Sequence, residues 1–309
     1  MTSYEGKMLQ DLMMPSQEDV EEALLKTLFN NNGVIKEFGA GEKLVDDIAD
    51  VFSLSEEQRV AYLETVYRKE NRVKRSYLWH RLLFRAADAL AKAKLVSRPT
   101  QTVLLTNKRE WMLTEDGYNH VLGLLKIPFE EKESLPIKSY EVQKIIKKIY
   151  DQEQTEDYNP FTDKNSVRAT REIKLRKRAF GQAVKEAYDY RCAVCGLKIY
   201  SPNTLLWEVE AAHIVPHSAN GKDDIWNGIA LCRLHHWAFD VGWFTLGDDY
   251  KVLVSEKIET LPSSYGKVGD HDFLERLSKG KLRILLPKKR NVYPHRNAIK
   301  WHRENKFSR

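Results

Sequence analysis

The feature that most constrains this 309-residue chain is the placement of its three cysteines. Cys192 and Cys195 bracket two residues in a tight turn ending at Gly196, and Cys232 stands three positions before His235. A lone Cys-x-x-Cys is compatible with a redox pair. The second pair argues against that reading, because together the two supply Cys3His, an ordinary tetrahedral donor set for structural zinc. An odd cysteine count also argues against a disulfide framework. The spacing therefore predicts Zn²⁺ held by Cys192, Cys195, Cys232 and His235.

The rest of the composition sets bounds on class. A content of 42% hydrophobic and 30% charged residues describes a globular chain, long enough for two domains that each bury a core. No run of eighteen apolar residues occurs, so no membrane span is expected, and MTSYEGKMLQDLMM lacks the basic-then-apolar pattern of a secretory signal. A cytoplasmic protein without a small-molecule cofactor is the expectation. The net charge of +6 says less than its distribution. From Lys164 to Arg178 the chain carries Arg168, Arg171, Lys174, Arg176, Lys177 and Arg178 against Glu172 alone. From Lys279 onward, eleven Lys or Arg residues face one acid, Glu304. Clusters of one sign point to phosphate contact, with Arg171, Lys174, Arg176, Lys177, Arg178 and Arg303 as candidates.

The N-terminal part reads as helical. Val20, Leu24, Leu25 and Leu28 share one helical face, as do Leu44, Val45, Ile48 and Val51. Ser55 to Gln58 looks like an N-cap followed by acidic first-turn residues. A long helix is expected over Arg75 to Lys94. Thr102 to Leu105 and Glu110 to Thr114 read as a strand pair. Helices followed by a small hairpin is the order of a winged helix. Arg81 to Val96 followed by Trp111 to Gly117 resembles the N-terminal domain of Mrr-type restriction enzymes, although Lys94 stands where that family usually has Gly. The resemblance implies a winged helix contacting DNA over residues 1–128. Residues 129–166, charged and containing Pro136 and Pro160, read as a linker with one helix at Tyr140 to Tyr150.

Between the cysteine pairs lies Ala211-Ala212-His213-Ile214-Val215-Pro216, then a polar loop with Gly221, then Asn227-Gly228, then Leu234-His235-His236-Trp237-Ala238-Phe239-Asp240-Val241-Gly242. This order resembles the HNH (ββα-metal) endonucleases, in the branch reading Ala-Ala-His-Ile-x-Pro, Asn-Gly and Leu-His-His-x-Ala-Phe-Asp-x-Gly. The similarity runs from about Arg168 to Phe307 and implies a nuclease domain over 167–309.

The resemblance implies three roles that match the needs of phosphodiester hydrolysis. His213 is the general base, since a neutral imidazole takes a proton near pH 7. Asn227 sits near His213 and fixes its orientation. His236 holds a catalytic divalent metal, Mg²⁺ or Mn²⁺, which polarises the phosphate. Many family members place Asp immediately before the base; this chain has Ala212, so the metal site is completed differently, with Glu210 and Asp240 as candidates for a second ligand or for a group that supports the ligands. Asp240 lies four residues after His236, on the same helical face, and could equally cap that helix. His217, His295 and His302 gain no comparable support, although His302 beside Arg303 could touch phosphate.

The sequence thus predicts an α+β chain: a winged helix, then an HNH domain around structural zinc. The expected activity is metal-dependent cleavage of double-stranded DNA, in restriction or defence and open to dependence on a modified base. Cutting both strands with one site per chain implies a homodimer. Two alternatives stay open: a zinc-containing DNA-binding regulator that does not cut, and a nuclease acting on RNA or single strands.

Overall fold

The computed structural model describes residues 4–38, 43–67, 72–128, 132, 135–162, 170–202, 206–257 and 283–308. Lys164, Arg168, Lys279, Lys281 and Arg309 of the basic stretches lie outside them. The chain divides into two compact units, Met1–Lys132 with Ile137–Gln143, and Glu133–Pro136 with Lys144–Arg309.

The first unit is built on two amphipathic helices. Ser16 caps α2 (Gln17–Asn30) by accepting the Asp19 N–H at 3.1 Å, satisfying one of the donors a helix start leaves free. Its buried Val20, Leu24, Leu25 and Leu28 pack against Leu78, Leu82, Leu83 and Ala86 of α5 (Leu78–Lys92). Trp79 donates from Nε1 to the Val45 carbonyl at 3.0 Å, tying α3 (Lys43–Val51) to the same core. Ser55 and Gln58 form the expected capping box, opening the short α4 (Glu56–Val60). A three-stranded antiparallel sheet has the order β1 (Val34–Lys36), β5 (Glu110–Leu113), β4 (Val96–Ser97).

Three local expectations change here. Thr102 to Leu105 is not a strand but part of α6 (Pro99–Thr106). Pro99 opens that helix with its fixed φ, and the Gln101 side chain accepts the Arg98 N–H at 3.0 Å. Strand β5 pairs with β1 and β4 instead. Arg75 to Tyr77 belongs not to a helix but to β3 (Arg72–Tyr77), antiparallel to β2 (Tyr62–Tyr67) in a hairpin with Tyr62 opposite Tyr77. Lys94, in the position of the usual Gly, takes φ +59°, so the end of α5 keeps a left-handed residue without one.

In the second unit, β6 (Val209–His213) and β7 (Gly228–Cys232) form an antiparallel ribbon, with Val209 opposite Cys232 and His213 opposite Gly228. Helix α10 (Arg233–Asp240) follows β7 without a loop. Helix α9 (Thr170–Ala187) covers the ribbon through Phe180, Ala183 and Val184. Gly228 makes that approach possible: a Cβ there would lie 2.3 Å from Val184 Cγ2 and 2.9 Å from Phe180 Cε2. A small hairpin of β8 (Phe244–Leu246) and β9 (Val252–Val254) supports the other side, with α11 (Arg296–Asn305) packed on β8. Residues 151–162, within the stretch that reads as linker, pack inside this unit. Tyr158 stands edge-on to Trp226 and its carbonyl accepts from Asn297 at 2.8 Å.

Candidate active site

The four thiol and imidazole groups meet where β7 passes into α10. Their donor atoms all lie within 4.8 Å of one another. Cys195 Sγ is 4.0 Å from Cys232 Sγ, and His235 Nδ1 is 3.7 Å from Cys192 Sγ and 2.9 Å from Cys232 Sγ. Zinc–sulfur bonds of about 2.3 Å in a tetrahedron place sulfurs about 3.8 Å apart, so the cluster is compatible with zinc. The turn that presents Cys192 and Cys195 closes with the Gly196 N–H on the Cys192 carbonyl at 2.9 Å. A φ of +74° at Gly196 is the left-handed conformation that favours glycine.

His213 ends β6, and its ring lies against Phe180 with centroids 3.9 Å apart and planes 17° from parallel. Burial against that apolar ring pushes its pKa down, a pull that the hydrogen bond to Asp223 opposes without reversing. The ring therefore stays neutral near pH 7, as a general base requires. Its Nε2 is 3.0 Å from Asp223 Oδ1. The same oxygen lies 3.1 Å from Nε2 of His217.

Asn227 is fully buried, and backbone groups use both ends of its amide. Oδ1 accepts the Val215 N–H at 2.8 Å, and Nδ2 donates to the carbonyls of Val215 and Lys222, each at 2.9 Å. It therefore pins the two ends of the loop that follows His213.

His236, one residue beyond His235 of the cysteine cluster, lies in α10. Its Nδ1 is 2.8 Å from Glu210 Oε2 and its Nε2 is 3.5 Å from Asp240 Oδ2. Burial depresses its pKa, but the Glu210 hydrogen bond and the charges of Asp240 and Glu210 outweigh that, and the net shift is upward. The two carboxylates that the sequence offered as alternatives thus occupy opposite nitrogens of one imidazole.

The basic candidates separate by position. Arg171, Lys174 and Lys177 are exposed on α9, Arg176 is half-buried with Nε 3.1 Å from Glu172, and Arg178 is buried. Arg303 bonds to the Leu246 carbonyl at 3.0 Å and to Asp248 at 2.9 Å. His302 is interior: it stacks on Phe239 and bonds to Thr245 Oγ1 at 2.9 Å and the Phe239 carbonyl at 3.1 Å. His295 caps α11 by accepting the Asn297 N–H at 3.0 Å.

Residues 192–247 match the HNH endonuclease family. The chain carries an HNH endonuclease domain. The matched span holds the cysteine cluster, His213, Asp223, Asn227 and His236. Among solved structures, the chain is similar to the modification-dependent TagI restriction endonuclease at 23% identity and a TM-score of 0.30. That match covers 46% of this chain and 39% of the TagI chain, so the similarity spans well under half of that protein. No curated protein matches the sequence. Among the described residues, no helix is long and apolar enough to cross a membrane.

Sequence reasoning left Asp223 and His217 unassigned. Neither stands at a diagnostic spacing from His213. Their approach depends on the path of the loop, which Gly221 and Asn227 set.

Proposed function

We propose that the HNH domain is a metal-dependent endonuclease acting on double-stranded DNA in restriction or defence. The observation that carries this is the pair of differently tuned histidines that β6 and α10 contribute. His213 is neutral, stacked and within reach of Asp223; His236 is flanked by two carboxylates. His213 takes the proton of the attacking water. His236 donates from Nδ1 to Glu210, which leaves its Nε2 lone pair and the Asp240 carboxylate to hold a divalent cation. Glu210 then fixes the ring from behind, as carboxylates commonly do for metal-binding histidines. A cation bound there supplies Lewis acidity to the phosphate and charge to the departing 3′-oxygen. Asn227 keeps the loop shut so that His213 is presented in one position.

The zinc ligands Cys192, Cys195, Cys232 and His235 act structurally, fixing the β7–α10 junction next to His236. The exposed Arg171, Lys174 and Lys177, with Arg176, face phosphates. In the first unit, the order α2, β1, α3, α5, β4 and β5, with α4 and the β2–β3 hairpin inserted between α3 and α5 and with β5 central between β1 and β4, supports a winged helix that binds duplex DNA. Here α6 occupies the wing. Cleavage of both strands calls for two copies of the chain.

The test is cleavage of supercoiled plasmid, methylated and unmethylated, by wild type and His213→Ala with Mg²⁺ or Mn²⁺. Single-stranded DNA and RNA run alongside. Duplex cutting by wild type alone supports the reading, and methylation dependence would define the role. Duplex binding without cleavage of any substrate overturns it in favour of a regulator. Preferential cutting of RNA or single strands overturns the substrate.

A further inference from the structure

The loop between β6 and β7 carries a carboxylate that the mechanism above leaves without a role. Asp223 Oδ1 lies 3.0 Å from Nε2 of His213 and 3.1 Å from Nε2 of His217, so one oxygen faces two imidazoles. The two rings are themselves 4.3 Å apart, centroid to centroid. The Asp223 side chain is only 13% exposed. Burial alone would push its carboxyl up, but the hydrogen bonds and charges of the two histidines hold it below the usual range.

The approach is enforced by the backbone. Asn227 joins Val215 at the start of the loop to Lys222 near its end. The Gly221 N–H donates to the Pro216 carbonyl at 3.0 Å, and a Cβ at Gly221 would stand 1.8 Å from the Val215 carbonyl oxygen. Only glycine lets the loop close so tightly. From outside, the Lys222 N–H donates to the Pro160 carbonyl at 2.8 Å and Thr162 Oγ1 to the Asn220 carbonyl at 2.7 Å. The residue after Lys222 is thereby returned to the end of β6.

We propose, resting on the reading of His213 as the base, that Asp223 is the positioning residue of that base. It accepts the Nε2–H of His213 and so leaves the Nδ1 lone pair for the attacking water, while His217 donates to the same oxygen and fixes the carboxylate. As the water oxygen bonds to phosphorus and the bond to the 3′-oxygen breaks, the water's proton passes to Nδ1. The Nε2–H stays on Asp223, whose charge stabilises the imidazolium. Asp223 is never protonated. Among the described residues, the other charged groups around the pair are His236 and Asp240 from α10, near His213, Lys177 from α9, near His217, and Asp224 beside Asp223.

The experiment uses the full chain and supercoiled plasmid with Mn²⁺. Comparing wild type with His213→Ala first establishes the base. Asp223→Asn is then expected to lower kcat by about 10²-fold or more with KM roughly unchanged. Nitrogen-15 shifts of the His213 ring should report the Nε2–H tautomer in wild type and a mixture in Asp223→Asn. Asp223→Glu restores part of kcat. His217→Asn lowers kcat by about tenfold, and His217→Asn with Asp223→Asn is no worse than Asp223→Asn alone, because both act through one oxygen. Zinc content and melting temperature identify a variant that fails to fold, in which case Asp223→Glu carries the comparison. Full kcat in Asp223→Asn, or an unchanged tautomer, overturns the proposal and leaves His213 as base. The donor atoms of His213, His217 and Asp223 lie within 4.8 Å of one another. Loss of Mn²⁺ binding in Asp223→Asn by calorimetry, with the tautomer unchanged, would therefore make the cluster a metal site and also overturn it. If His213→Ala still cuts and His217→Ala does not, the fault lies instead with the assignment of the base.

Discussion

Asn227 pairs its side-chain amide with the backbone of Val215 in both directions, accepting from the N–H at 2.8 Å and donating to the carbonyl at 2.9 Å. It serves Val215 as a neighbouring strand would. Asn227→Ala removes both partners and the bond to Lys222 in a site with no access to water. The expected loss is about 3 kcal/mol or more, since each buried group left unpaired costs about 1–3 kcal/mol. A lowered urea midpoint with unchanged slope checks this. Cleavage should fail along with the loop.

Zinc should be found at one ion per chain by elemental analysis, and Cys232→Ser should lose it. The second unit then melts at lower temperature, because an ion that binds the folded state alone stabilises it and that contribution is lost. Retention of the ion in Cys232→Ser would contradict the donor set.

Glu210 and Asp240 should behave differently in metal titrations. Glu210→Gln raises the Mn²⁺ concentration for half-maximal cleavage by about 10–100-fold and leaves kcat at saturating metal largely intact, as expected of a group that orients a ligand. Asp240→Asn lowers activity that added Mn²⁺ does not restore. Equal behaviour of the two variants would count against the assignment of Asp240 as ligand.

His302 gives the second unit a defined acid sensitivity. Burial pushes its pKa from the ordinary 6.5 down to about 4, so the folded protein keeps it neutral where an unfolded chain would bind a proton. Stability is therefore undiminished above about pH 6.5 and falls as pH drops from there through about 4, by up to about 3 kcal/mol. Melting temperatures measured from pH 7 to 4 should fall less steeply in His302→Gln than in wild type.

Lys174→Ala and Lys177→Ala should each weaken binding to any duplex sequence alike. Each should reduce the slope of log affinity against log salt by about 1. Arg303→Ala, which loses bonds to Leu246 and Asp248, should lower stability more than it changes that slope.

Much of the site was legible in the sequence because its residues are bound to local spacing. Cys-x-x-Cys, Cys-x-x-His and the i,i+4 relation of His236 to Asp240 are fixed by a turn or one helical turn, and the structure brings each together. The Glu210–His236 contact needs the antiparallel register of β6 on β7, which places Glu210 opposite Leu231. Asp223 was hidden because its approach depends on a loop path and not on periodicity. In the first unit, Tyr62 to Tyr67 shows no period-2 alternation, so nothing marked it as a strand beside the strong helical pattern that follows it. Thr102 to Leu105 has strand-like composition, yet Pro99 and Gln101 nucleate a helix, so local capping overrode propensity.

Gly228 pairs with His213 in the ribbon and lies directly under Phe180 and Val184. The helix that displays Lys174 and Lys177 is therefore docked against the strand position facing the base, with no side chain between them. Under the proposed function, a hydrogen atom is the spacer between the residues assigned to phosphate contact and the residue assigned as base. Gly228→Ala would lift the whole grip on the DNA backbone away from the reacting bond by the thickness of a methyl group, so that the protein could still hold its substrate yet no longer hold it in register.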